Sequence, residues 1–134
     1  MLANELIDLL RPSRVVHAHC DLPCGVYDPA QARIEAESVK AIQEKYQGND
    51  DPEFRQRCVL IKEERADLVK HHLWVLWTDY FKPEHLAKSP NLHELFWNAT
   101  KEAGAAKKSD DPSQGDKLLG LIKEIDTIFW ETKN

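Results

Sequence analysis

The sequence predicts an all-α chain, an up-down antiparallel four-helix bundle behind an N-terminal segment that is not helical. Four helix starts are written into it: Asp28-Pro29, Asp51-Pro52, Ser89-Pro90 and Asp111-Pro112 each place a capping side chain before a proline. Proline at the first helical position gives up no hydrogen bond, and the side chain before it can accept from the open N–H groups. Between these points apolar residues recur at intervals of three and four, with no sustained strand-like alternation. Short links favour antiparallel neighbours. The sequence carries no internal repeat.

Residues 1–18 come first. Leu2, Leu6, Ile7, Leu9 and Leu10 can line one side of a short helix that Arg11-Pro12 ends. Glu5 and Asp8 interrupt the apolar run, so it reads poorly as a secretory or organellar signal. Val16-His17-Ala18 has the shape of a cleavage site. Two readings stand here, a packed N-terminal helix and a removable leader. Beyond a turn-rich stretch, helix one is expected from about Pro29 to Gln47, with Glu35, Val39, Ile42 and Tyr46 on one stripe. Gly48-Asn49 stops it. Helix two is expected from Pro52 to Phe81 and is the longest; Lys82–Lys88 adds one loose turn. Helix three follows Pro90 with Leu92, Leu95, Phe96, Ala99 and Ala103 inward. The Gly104–Gly115 region, rich in Lys, Ser and Asp, reads as a polar connection. Helix four follows Pro112, with Leu118, Leu121, Ile122, Ile125, Ile128 and Phe129 apolar.

Helix two carries an anomaly. Steps of three and four from Phe54 visit Cys58, Ile61, Arg65, Leu68, His72, Val75 and Asp79. Inward charges need partners. Either the drift of a straight helix turns these to solvent, or Arg65 and a carboxylate such as Glu35 support a buried polar site, with Trp77 and Tyr80 flanking one end. Cys58 reads as a small core residue. Trp74, Trp77, Trp97 and Trp130 read as core or subunit interface. His85 and His93 receive no role.

Composition bounds the function. With 134 residues the chain is one domain large enough for a core. It is 42% hydrophobic and 31% charged with net charge -5, which argues against a nucleic-acid protein held by bulk charge. No apolar run approaches the roughly 20 residues that span a bilayer. Three cysteines make no disulfide framework and point to metal or redox chemistry.

Two of those cysteines lie in His19-Cys20-Asp21-Leu22-Pro23-Cys24-Gly25-Val26-Tyr27-Asp28-Pro29, which Pro23 and Gly25 keep from being helical. Two thiolates and a histidine suit Zn, Cu or Ni and not Mg or Ca. A closed structural zinc site wants four ligands, and the Cys-x3-Cys pair supplies half of that. Neither Cys58 nor His71-His72 is brought to it by the sequence alone. Without metal in an oxidising place, Cys20 and Cys24 can pair as a disulfide. Cleavage before His19 opens another completion: a free α-amine, the Cys20 amide nitrogen and two thiolates make a planar N2S2 set favoured by Ni(II) or Cu(II), with the His19 ring as an axial fifth ligand. Such a site suits one-electron chemistry on a small molecule.

The segment resembles the nickel hook of nickel-containing superoxide dismutases, matching the pattern H-C-x-x-P-C-G-x-Y. The likeness continues through Ala30-Gln31-Ala32-Arg33-Ile34-Glu35-Ala36-Glu37-Ser38, Lys70-His71-His72, Trp77-Thr78-Asp79-Tyr80-Phe81-Lys82-Pro83 and Ile128-Phe129-Trp130-Glu131-Thr132-Lys133. The resemblance implies a bundle of residues 19–134, with hook 19–27, that disproportionates superoxide by Ni(II)/Ni(III) cycling after a peptidase removes residues 1–18. It implies one nickel per chain, held by His19 (α-amine and ring), Cys20 (thiolate and amide nitrogen) and Cys24 (thiolate). Glu35 and Arg65 hold the His19 ring, Asp21 and Pro23 shape the hook through a cis Leu22-Pro23 bond, and Tyr27 and Tyr80 line access to the metal. Lys82 and Arg65 are candidates to steer the anion. A homohexamer and a dedicated peptidase are implied; the interrupted leader leans to a cytoplasmic protein, and charge and hydropathy to one with no nucleic-acid or membrane partner. Two rivals remain: a non-catalytic metal carrier, and a thiol redox protein cycling Cys20–Cys24, which needs a low-pKa thiolate.

Overall fold

The computed structural model describes Leu22 and residues 24–134. The leader helix and its cleavage point, His19, Cys20, Asp21, Pro23, the Leu22-Pro23 bond and a Cys20–Cys24 disulfide lie outside the described residues. Among the described residues all regular structure is helical: α1 (Ala30–Gln47), α2 (Pro52–Val75) continued by a π-helical turn (Leu76–Tyr80), α3 (Pro83–Lys88), α4 (Leu92–Lys108) and α5 (Pro112–Glu131).

Two of the four proline signals act as expected, and a third is displaced by one residue. The Asp51 carboxylate accepts from the Phe54 N–H at 2.9 Å, and Asp111 accepts from the Ser113 N–H at 2.9 Å. That N–H holds the Asp111 carboxyl below its ordinary pKa. Asp28 accepts from the Ala30 N–H at 2.9 Å, with Pro29 at the cap position. Ser89 is a correction. Helix α4 starts after Asn91, and it is the Ser89 carbonyl, not its hydroxyl, that accepts from the Leu92 N–H at 3.1 Å.

The four long helices form a ring in which α1 packs on α2 and α5, and α4 packs on α2 and α5. The core joins Ala32, Ala36 and Val39 of α1 to Ala66, Val69 and Leu73 of α2. The α4 and α5 residues expected inward are there, with Leu118, Ile122, Ile125 and Phe129 fully buried and Leu121 and Ile128 half-buried. Among the described residues no helix is long and apolar enough to cross a membrane.

Two expectations about faces and one about a connection need correcting. On α1 the buried stripe is Ala32, Ala36, Val39 and Gln43, while Glu35, Ile42 and Tyr46 are half-buried. Alanines let α1 lie close to its neighbours, which pushes larger side chains to the edge of the stripe. On α2 Cys58 and Val75 of the expected seam are buried, but between them the buried set runs one position on, through Lys62, Ala66, Val69 and Leu73; Ile61 and Asp79 are exposed. Lys62 goes inward because Asp110 Oδ1 at 2.5 Å and the Ser109 carbonyl at 2.9 Å receive its ammonium. The Gly104–Gly115 connection shrinks to residues 109–111, since α4 runs to Lys108 and α5 begins at Pro112. The rest of that stretch is helical. The short link is tied down by Gln43, whose Nε2 donates to the Ala106 and Ser109 carbonyls at 3.2 and 3.0 Å.

This topology brings the start of α1, the π turn after α2, the start of α4 and the end of α5 to one end of the bundle. The chain from Cys24 enters α1 there.

Candidate metal centre

The segment before α1 is neither helix nor strand from Cys24 to Asp28. Gly25 sits at φ 73°, a left-handed conformation open to glycine at little cost, so the chain turns directly after Cys24. Cys24 is exposed, and the Val26 N–H donates to its sulfur at 3.4 Å. A donor aimed at a ligating sulfur fixes its orientation.

Tyr27, at the inner end of the hook, meets Tyr80 with ring centroids 5.6 Å apart. The π turn carries Tyr80: the Phe81 N–H donates to the Leu76 carbonyl at 3.0 Å, closing a wider loop than an α turn. Such bulges recur at functional sites. The Tyr80 ring packs on Phe129 at 4.4 Å and stacks on His85 at 5.7 Å, while the Lys133 ammonium lies 4.9 Å from its centroid. Its hydroxyl is hydrogen-bonded to the Thr132 hydroxyl.

In the second turn of α1, Glu35 receives Arg65 of α2, whose Nη1 donates to the two carboxylate oxygens at 3.3 and 3.2 Å. Arg65 also donates to Glu64 at 3.2 Å. The pair resolves the anomaly on α2: Arg65 is half-buried beside its counter-charge, while Asp79 turns to solvent. Lys82 is exposed just beyond Tyr80, its backbone N–H donating to His85 Nδ1 at 3.0 Å.

Of the site residues expected from sequence, the structure brings Tyr27 to Tyr80 and Glu35 to Arg65, and sets Lys82 and Cys24 at the same end. Trp77 turns instead to His93 and Phe96, at 4.6 and 5.1 Å. Trp74, Trp97 and Trp130 are 49%, 63% and 47% exposed, which removes them from the core. Cys58 is buried near the opposite end of α2 from Tyr80. Three neighbours of Tyr80 escape sequence reasoning: His85, Thr132 and Lys133. The family-like stretch through Lys133 points toward two of them but gives them no role.

Among the described residues no group of three or more His, Cys, Asp or Glu side chains is placed to hold a metal ion. Of the donor set expected from sequence, Cys24 lies among the described residues, and His19 and Cys20 lie outside them. That donor set is sulfur and nitrogen, with no carboxylate cluster for a hard cation, and it fits nickel.

Residues 14–133 match the family model described as nickel-containing superoxide dismutase. A superoxide dismutase [Ni] of Streptomyces coelicolor is 63% identical over 125 residues, covering 93% of this chain and 95% of the relative. One from Streptomyces seoulensis is similar to the same extent. A native nickel superoxide dismutase structure superposes with TM-score 0.84 at 65% identity, covering 86% of this chain and 98% of the solved one. A structure of a nickel-containing superoxide dismutase with ligation corresponding to the oxidised state gives the same values. Matched along nearly its whole length in sequence, and in the fold that carries the Glu35–Arg65 and Tyr27–Tyr80 pairs, the chain belongs to the nickel-containing superoxide dismutase family.

Proposed function

We propose that this chain is the precursor of a superoxide dismutase, with residues 1–18 a removable leader and 19–134 the active unit. It converts two superoxide anions and two protons to O2 and hydrogen peroxide. One observation carries the reading: the segment led by Cys24 delivers Tyr27 against Tyr80 at 5.6 Å and runs directly into the helix whose Glu35 is held by Arg65. The solved relative is matched over 98% of its length by 86% of this chain, as expected if the active enzyme begins at His19.

Nickel supplies the one-electron chemistry when bound. Cys20 and Cys24 would hold it through their thiolates, joined by the Cys20 amide nitrogen and by the α-amine and ring of His19. That amine exists only once the bond to Ala18 is cut, so leader removal by a peptidase is the activating step. The Glu35 carboxylate, anchored by Arg65, would orient the His19 ring. Asp21 and Pro23 shape the hook. Tyr27 and Tyr80 hold water at its mouth, through which the two protons arrive. Lys82, exposed beside them, offers positive charge to an incoming anion that the net charge of -5 would otherwise repel. The active form is a homohexamer in the cytoplasm, without nucleic acid or membrane as partner.

The test compares the full chain with one beginning at His19, each loaded with nickel and assayed for metal content and superoxide consumption. Activity confined to the shortened chain is the expected result. Equal metal uptake with no activity in either would overturn the dismutase reading in favour of a metal carrier.

A further inference from the structure

The Tyr80 hydroxyl, Thr132 at the C-cap of α5 and the Phe129 carbonyl form a chain of hydrogen bonds with a defined direction. Thr132 Oγ1 lies 2.5 Å from the Phe129 carbonyl oxygen, which can only accept. A threonine hydroxyl has one proton, and this bond uses it. The contact between Thr132 Oγ1 and the Tyr80 hydroxyl must then run the other way, with the phenol donating. The Tyr80 oxygen is left with lone pairs and no proton for any further partner.

We infer that Thr132 is a positioning residue for the dismutase reaction, acting through Tyr80. It accepts the hydrogen bond that the phenol donates, so Tyr80 can accept from a water at the mouth of the hook but cannot donate to an anion there. The ring is fixed as well as the hydroxyl: Phe129 and His85 pack on it at 4.4 and 5.7 Å, and Lys133 lies over it at 4.9 Å. Rotation of the hydroxyl is the one freedom left to the side chain, and Thr132 removes it. A superoxide anion would compete with Thr132 for the phenol proton; the bond to Thr132 reserves the position for water, the species that carries protons in. The inference rests on the assignment of Tyr80 to the access path.

The experiment uses the nickel-loaded chain beginning at His19 in five forms: unchanged, Y80F, T132V, T132S and Y80F/T132V. T132V keeps the shape and removes the acceptor; T132S keeps the acceptor. The expected result is a fall in kcat/KM of about fivefold for T132V, the scale of one lost orienting hydrogen bond. T132S restores the rate, and T132V adds nothing in the Y80F background. A second readout needs no metal. In the full chain with 13C-labelled tyrosine, the Tyr80 Cζ resonance shifts and its hydroxyl proton exchanges faster in T132V but not in T132S. If Y80F slows the enzyme and T132V does not, Thr132 has no such role while Tyr80 keeps its own. Additive losses in the double variant, or an unmoved Tyr80 resonance, would likewise overturn the inference. If Y80F itself is without effect, the assignment of Tyr80 falls and Thr132 with it.

Discussion

A guanidinium on the inward side of α2 must find an anion or leave the core, and Arg65 does the first at 3.2 Å from Glu35. That requirement makes the pair legible in the sequence. Glu35 is the more buried partner, at 16% exposure against 35% for Arg65, and its carboxylate is the group aimed at the hook in the proposed enzyme. Replacing it with the neutral isostere, Glu35→Gln, keeps the volume and one acceptor for Arg65 but removes the charge that orients the His19 ring. Activity of the nickel-loaded chain should fall by about tenfold, the lower end for lost partners of metal ligands, with the helical circular-dichroism signal unchanged. Unchanged activity would remove Glu35 from the site. Lys62 illustrates the opposite case. Its partner Asp110 is 48 residues away in a three-residue link, and nothing in the local pattern marks that lysine as inward. Thr132 is illegible for the same reason: it reaches Tyr80, 52 residues away, only because separate helix ends meet in space.

Two glycines in one helix separate propensity from packing. Gly120 is exposed on α5, and an added Cβ would meet nothing within 4 Å. Gly120→Ala should therefore stabilise the bundle by ~0.5–1 kcal/mol, through lost freedom of the unfolded chain and better helix propensity. Gly115, one turn inside the same helix, is buried against α1. A Cβ there would lie 2.6 Å from Lys40 Cβ, 2.9 Å from Lys40 Cα and 2.8 Å from Gln43 Oε1. One of those atoms is backbone, so α1 and α5 would have to separate. Gly115→Ala should destabilise by ~1–3 kcal/mol, the range for overpacking a fitted contact. Thermal unfolding of the two variants checks both signs at once. A stabilised Gly115→Ala protein would mean that α1 and α5 are less tightly apposed than described. The helices themselves are legible from proline caps and apolar spacing. Their faces are less so, because the large Ile42 and Tyr46 dominate the apolar pattern of α1 while the small alanines beside them take the buried stripe.

At the scale of the molecule, the four-helix ring follows from its caps and short links, but its outer surface does not follow from the same signals. Tryptophan at helical spacing reads as core or subunit interface from sequence, and the bundle leaves Trp74 and Trp97 about half or more exposed, which removes the core half of that reading. They line one cleft of about 330 Å³ between α2 and α4, together with Trp77, His93, Phe96 and Thr100. Tryptophans paired on an open face carry a large apolar area that association would remove from water, and such residues dominate the energetics of interfaces. In the proposed hexamer this cleft is where a second copy is expected to sit. Trp97→Asp places a charge on that face without touching the core, so the monomer fold should survive and the far-ultraviolet spectrum should not change. The assembly should weaken by at least about thirtyfold, the scale of one central tryptophan lost from an interface. Light scattering across a dilution series reads this directly as a mass that falls with concentration sooner than in the unaltered chain. An unaltered chain that is monomeric throughout would end the hexamer proposal. A variant that keeps the full assembled mass would move the interface to another face, with Trp130 on α5 the next residue to change, since it is also open, with its Nε1 donating to Asp126 at 3.0 Å.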